Sequence, residues 1–329
     1  MSQSPLHVWF LDTVHRALWQ ALSEAGMVCH DATTATREEL ISGTLGPVHG
    51  LVLRSRIRLD AEVLDALPDL TWIARSGSGL ENIDTARAEE MGIAVHSSPE
   101  GNRDAVGEHT LGMLLGVLHK LPAGDVSVRQ GRWEREAHRG RELKSRTVGI
   151  MGYGQMGSAL GERLAGMGCR VVAYDKHKEG WGESPSVPRP LPHVEPVGWS
   201  TFCREADVVS LHLPWTAETK GLVDEAWLAQ FARPLILINT SRGAIVNSGA
   251  LLEALEQGRV TDACLDVLEY EGRSLEALDG LGDPTARQTF DRLLSHPRIQ
   301  FSPHVAGWTE ESLVKLSTVL AQKILGHRH

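Results

Sequence analysis

A chain of 329 residues is longer than one hydrophobic core usually organises, so two domains are expected. Its apolar content of 42% is that of an ordinary globular protein, and a net charge of −9 argues against general attraction to nucleic-acid backbones or anionic membranes. No apolar stretch reaches 18 residues and MSQSPLHVWF lacks a basic segment leading into a long apolar one, so neither a membrane span nor a secretory leader is expected, and a cytoplasmic location follows by default.

In chain order, apolar strand-like runs occupy Leu6 to Leu11, Gly50 to Leu53, Thr71 to Arg75, Thr147 to Met151, Arg170 to Tyr174, Asp207 to Leu211, Pro234 to Asn239 and Ala263 to Val267. Helical spacing separates them, as at Leu11 to Ala25 and Asp60 to Leu67, and that alternation predicts an α/β protein with parallel sheets. A long helix over Arg103 to His119 reads as a connector, and a last one over Glu310 to Leu325 is expected to return to the first domain. The expected division is therefore 1–101 with 307–329 as a substrate-binding domain, and 102–306 as a dinucleotide-binding domain. Lys176 to Ser200 and Gly272 to Ser295 are rich in loop formers and are expected to be surface connections. The cysteines Cys29, Cys169, Cys203 and Cys264 form no CxxC pair and are expected to be buried and reduced, with no metal site.

The stretch VGIMGYGQMGSALGERLAGMGCRVVAYD joins an apolar strand, a glycine turn, a helix and a second strand that ends on an acid. Gly152, Gly154 and Gly157 open the helix over Met156 to Met167, which sets a phosphate against unpaired helix N–H groups. Asp175 stands 18 residues beyond Gly157, the spacing at which a carboxylate accepts hydrogen bonds from an adenosine ribose. It would repel a 2′-phosphate, so NAD is the expected cofactor, although Lys176, His177 and Lys178 follow directly and leave room for NADP.

Downstream, three polar residues end apolar runs: Arg242 in INTSRGAIVN, Glu271 in LDVLEYEG and His304 in SPHVAGW. Oxidising a hydroxyl beside a carboxylate needs a cation for the carboxylate, a base for the proton and an acceptor for the hydride. Arg242 offers a planar fork that matches a carboxylate at two points. An imidazole exchanges protons near neutrality, which suits His304, and Glu271 is the candidate to hold its tautomer.

With GYGQMG, LHLPWTAET, INTSRGAIVN, CLDVLEYE and SPHVAGWTEES in order, the chain resembles the D-isomer-specific 2-hydroxyacid dehydrogenases from Gly50 to its last helix. The resemblance implies a Rossmann-type NAD domain beside a flavodoxin-like substrate domain, and a homodimer built through the NAD domain with a contribution from GRWERE. It implies Arg242, Glu271 and His304 as the catalytic set. It implies also that Gln155 and Met156 approach the pyrophosphate, and that His212, Pro214, Thr219, Thr240, Ser241, Asp266 and Gly307 line the cofactor site. Two departures stand out: Gly272 replaces the family's usual proline after the glutamate, and the segment from Glu271 to His304 is longer than usual.

In the first domain, Ser76, Gly77, Ser78 and Gly79 make a tight turn whose N–H groups suit the substrate carboxylate. Arg54 and Arg56 lie two apart after an apolar run, so both are expected to point the same way, as two cations for a phosphate. Arg54-Ser55-Arg56 and Asn102 resemble the D-3-phosphoglycerate dehydrogenase branch, which implies a phosphate site with Arg135 reaching in from a second subunit. That branch implies oxidation of D-3-phosphoglycerate in serine biosynthesis, and the chain end at His329 implies no C-terminal regulatory domain. The alternatives are a glyoxylate, hydroxypyruvate or other 2-keto acid reductase, erythronate-4-phosphate dehydrogenase, from the likeness of HVAGWT, and a non-catalytic NAD-sensing partner protein.

Overall fold

The computed structural model describes residues 5–178, 181, 190–272, 278 and 280–326. The chain forms two compact units, one of residues up to Asn102 and from Trp308 onward, the other of Arg103–Gly272 and the stretch ending at Gly307.

In the first unit β1 (His7–Phe10), β2 (Val28–Asp31), β3 (Gly50–Leu53), β4 (Trp72–Arg75) and β5 (Ala94–Ser97) form a five-stranded sheet in the order β2-β1-β3-β4-β5. Every pairing is parallel. All four residues of β3 are buried, as expected where helices cover both faces of a parallel sheet. Leu51 and Leu53 enter one core with Leu40 and Leu64, from the helices Arg37–Ile41 and Ala61–Asp65. Val52, pointing the other way, packs with Leu18 of Arg16–Glu24 and with Leu320 and Ile324 of Glu310–Gly326.

The second unit holds β6 (Thr147–Met151), β7 (Arg170–Tyr174), β8 (Val194–Pro196), β9 (Val208–Leu211), β10 (Leu235–Asn239), β11 (Val260–Leu265) and β12 (Ile299–Phe301). Their order is β12-β11-β10-β9-β6-β7-β8, again parallel throughout. The chain runs outward from β6 to β8, then returns to lay β9 on the other side of β6. That reversal opens a crevice at the carboxyl ends of β6 and β9, where doubly wound sheets bind their ligands.

The structure corrects several sequence expectations. Four strands were not expected, β2, β5, β8 and β12, and these are the four sheet edges. An edge strand is paired on one side only and mixes polar with apolar residues, as in VCHD, VEP and IQF, so no apolar run marks it. The segment Gly272 to Ser295 is not all loop: Pro284–Ser295 is a helix whose first turn is capped by Asp283, its Oδ2 accepting from Ala286 N at 2.9 Å. Lys176 to Ser200 holds β8 and the start of the helix Trp199–Glu205, with much of it outside the described residues. All four cysteines are free, but only Cys203 and Cys264 are buried, while Cys29 and Cys169 are half-buried. Burial pushes the Cys203 thiol up to about 11. No helix among the described residues is long and apolar enough to cross a membrane.

Candidate active site

The glycine turn between β6 and the helix Gln155–Leu164 assigns its three glycines different tasks. Gly152 has φ +87°, and a Cβ there would lie 2.5 Å from the carbonyl oxygen of His212. A Cβ on Gly157 would lie 2.0 Å from the carbonyl oxygen of Gly152, so this position permits the close approach of helix to turn. Around Gly154, which caps the helix, the space is open. An open helix N-terminus, where the first-turn N–H groups of Gln155 and Met156 have no partner within the helix, fits a pyrophosphate.

At the end of β7, Asp175 accepts from Tyr153 N through Oδ2 at 2.9 Å and from His177 N through Oδ1 at 3.1 Å. Its carboxylate is thus tied to the glycine turn that it accompanies in sequence. The lysines beside it are engaged elsewhere, Lys176 with Glu218 and Lys178 with the carbonyl of Tyr153. That arrangement fits a ribose diol better than a 2′-phosphate.

Across the crevice, Ser210 lies 2.9 Å from Nε2 of His212, while Nδ1 is buried without a hydrogen-bond partner among the described residues. Burial lowers the His212 imidazole to about 4, so it is neutral at physiological pH. An orphaned ring nitrogen at the carboxyl end of β9 is a polar group that a bound cofactor would satisfy. Thr219 Oγ1 donates to the Pro214 carbonyl at 2.7 Å, closing the loop that follows.

The turn after β10 carries Thr240, Ser241 and Arg242. Asn239 organises it: its Oδ1 accepts from Ser241 N at 3.1 Å and Oγ at 2.8 Å, and its Nδ2 donates to the Arg242 carbonyl at 2.9 Å. A Cβ on Gly243 would lie 1.8 Å from the Leu268 carbonyl oxygen, which presses this turn against the loop leading to Glu271. Arg242 is half-buried, and its Nη1 donates to the Ser241 carbonyl at 2.7 Å.

Glu271 and His304 meet as expected. His304 Nδ1 lies 2.8 Å from Glu271 Oε2, and Glu271 Oε1 accepts from Leu268 N at 2.6 Å. A carboxylate is an acceptor, so Nδ1 carries the proton and the lone pair of Nε2 is left outside this contact. The imidazole side chain retains 21% exposure, enough for contact with a ligand. His304 sits in the left-handed region with φ +54°, rare for a side chain of this size, and its N–H donates to the Asp266 carbonyl at 2.8 Å. Asp266 is 1% exposed and its carboxylate accepts from Ser302 Oγ and from the N–H groups of Val305 and Ala306. Gly307 closes the same loop.

In the first unit, Ser76 and Gly77 are buried at the end of β4, with Ser78 and Gly79 half-buried beyond them. Ser78 Oγ donates to Asn102 Oδ1 at 2.9 Å, so two expected substrate residues are brought together. The arginine pair is not. Arg56 Nε and Nη2 donate to the Leu11 carbonyl, Nη2 also reaches that of Ala32 and Nη1 that of Ala35, with Asp12 3.4 Å away. Residues 54–56 lie beyond the last residue of β3, so strand alternation does not govern them. Arg54 instead stacks its guanidinium 4.1 Å over the Trp308 ring, while its backbone N–H donates to Asp12 Oδ2. Ser55 is half-buried between them, and Arg135, in the second unit, is exposed. Sequence reasoning missed Trp308, Asn239 and Ser302; the tryptophan beside the histidine motif was the one readable signal.

Residues 111–306 match the family described as D-isomer specific 2-hydroxyacid dehydrogenase, NAD binding domain. The chain belongs to that family. Among its relatives, it is 32% identical over 303 residues to D-3-phosphoglycerate dehydrogenase of Archaeoglobus fulgidus, covering 91% of this chain and 53% of that one. It is 32% identical over 274 residues to hydroxypyruvate reductase of Thermotoga maritima, covering 83% of each. The chain therefore spans about half the length of the first of these relatives. Among solved structures, an NADPH-dependent glyoxylate/hydroxypyruvate reductase of Sinorhizobium meliloti, in complex with NADP and malonate, superposes with TM-score 0.77 at 26% identity over 98% of this chain and 93% of that one. The two parallel sheets flanked by helices are those of this 2-hydroxyacid dehydrogenase family, and its cofactor is NAD.

Proposed function

We propose that the protein interconverts a D-2-hydroxy acid and its 2-oxo acid, with His304 as the proton-transfer group. The observation that carries this reading is the 2.8 Å contact of His304 with Glu271, in the same unit as the dinucleotide turn. His304 Nε2 takes the C2 hydroxyl proton, Glu271 stabilises the imidazolium that results, and Arg242 holds the substrate carboxylate at two points. Bound NAD supplies the hydride acceptor.

For the substrate we favour D-3-phosphoglycerate, giving 3-phosphohydroxypyruvate at the entry of serine biosynthesis. The relatives named for that reaction support it, as do Arg54, Ser55, Ser78 and Asn102 in the first unit. Arg135 would join them from a second copy. Reduction of hydroxypyruvate is the second reading, favoured by the commitment of Arg56 to backbone carbonyls, which leaves one fewer cation for a phosphate. A homodimer is supported by the exposed apolar side chains Leu121, Val126, Val128 and Trp133 of the second unit, the last 79% exposed. The test is NADH formation from D-3-phosphoglycerate and from D-glycerate, with wild type and Arg54→Ala. Preference for the phosphorylated acid, lost in the variant, is expected; equal turnover of both acids, unchanged by the substitution, would move the substrate to the hydroxypyruvate class.

A further inference from the structure

His304 holds a left-handed backbone conformation that an imidazole side chain does not favour, so the surrounding loop must impose it. The loop is gathered around one buried carboxylate. Asp266 Oδ1 accepts from Ser302 Oγ at 2.6 Å and from Val305 N at 2.9 Å, and Oδ2 accepts from Ala306 N at 2.9 Å. Ser302 also has neighbours on the helix Pro99–Leu118: Nε2 of His109 lies 2.9 Å from its hydroxyl oxygen, and Met113 Sδ lies 3.6 Å away.

The direction of these bonds follows from proton counting. A serine hydroxyl has one proton, and the carboxylate is the nearer and more strongly accepting neighbour, so Ser302 donates to Asp266. Its lone pair then accepts from His109 Nε2–H. The Nε2–H tautomer and the imidazolium both donate from that nitrogen, so the bond survives either charge state of His109. Donation into the hydroxyl polarises it and strengthens the short bond to Asp266. The next residue along the helix does the equivalent for the other catalytic loop: Thr110 Oγ1 donates to the Val106 carbonyl at 2.6 Å and so accepts from Thr240 Oγ1 at 3.0 Å, two residues before Arg242.

We propose that His109 is a positioning residue that aims His304 by donating through Ser302 to Asp266. Chemistry is done by His304; His109 fixes the loop from which it projects. This inference rests on the reading of His304 as the proton-transfer group. Removing the donor leaves Ser302 free to turn and Asp266 with a less defined partner, and small displacements of a reacting group carry large rate penalties, on the order of 10²-fold for about 1 Å.

The test compares His109→Leu, His109→Gln, Ser302→Ala and the His109→Leu/Ser302→Ala double variant, with saturating NADH and hydroxypyruvate varied to give kcat and KM. Glutamine is the informative substitution, because its side-chain nitrogen can replace Nε2 as a donor. The expected result is a fall in kcat of about tenfold or more for His109→Leu with KM changed by less than about threefold, recovery of most of kcat in His109→Gln, and a double variant no slower than the worse single. Equal rates for Leu and Gln variants, a loss confined to KM, or additive losses in the double variant would overturn the proposal. If His109→Leu does not fold, the Gln and Ser302→Ala variants decide it, since the first must keep and the second must lose rate. Wild-type turnover with unaffected variants removes this inference alone, whereas a wild type inactive on every 2-oxo acid removes the role of His304 and this inference with it.

Discussion

The loops that follow β3 in the first unit and β11 in the second both end apolar strands in polar residues, yet they use those residues in opposite ways. After β11, Asp266 collects N–H groups and a hydroxyl so that His304 is held by others and its own Nε2 stays available. After β3, Arg56 is itself the brace, its guanidinium gathering the carbonyls of Leu11, Ala32 and Ala35. The lesson is that a charged residue at a strand end marks a site only when something else supplies the loop's hydrogen bonds. Where nothing else does, the charge becomes part of the scaffold.

His304→Asn is expected to lower kcat by about 10²- to 10⁴-fold, the range of general acid–base contributions, with little change in NADH affinity. Steady-state rates with a 2-oxo acid check this, and a loss under about fivefold would return His304 to the class of loop braces. Arg242→Lys comes next, since a point charge cannot reproduce two-point contact: kcat/KM should fall about 10- to 100-fold, with KM for the acid rising. An unchanged KM would show that Arg242 does not hold the substrate.

In the folded chain His212 titrates at about 4 against 6.5 for a free imidazole, so the unfolded chain takes up the proton first as the pH falls. The stability held by neutral His212 is complete above about pH 6.5 and is lost progressively toward pH 4, by at most about 3 kcal/mol. His212→Asn should flatten the melting temperature across that window, and an unaltered slope would place the acid sensitivity elsewhere. Arg56→Ala should lower stability by about 1–3 kcal/mol, because three carbonyls lose a donor, while KM for the acid changes less than twofold. A large rise in KM with an unchanged melting temperature would restore Arg56 to the substrate site.

The same contrast explains what the sequence made legible. Central strands such as LILIN in β10 are covered on both faces and read as continuous apolar runs. Edge strands such as VEP in β8 are half-paired and half-solvated, so local composition does not distinguish them from loops. In the site, Gly152, Gly157, Asp175, Glu271 and His304 were legible because the chemistry restricts residue type and spacing together. His109 and Ser302 were not, because their roles depend on a contact between positions 193 residues apart. Arg54 and Arg56 looked equivalent in sequence, and only the loop path after Leu53 separates them.

The decisive experiment incubates the protein with NAD and, separately, D-glycerate, L-glycerate and D-3-phosphoglycerate, and follows NADH formation. The His304–Glu271 contact and Arg242, in the same unit as the dinucleotide turn, predict NADH from the D isomer and none from the L isomer. Turnover of the L isomer, or of neither glycerate nor its phosphorylated form, would contradict that prediction.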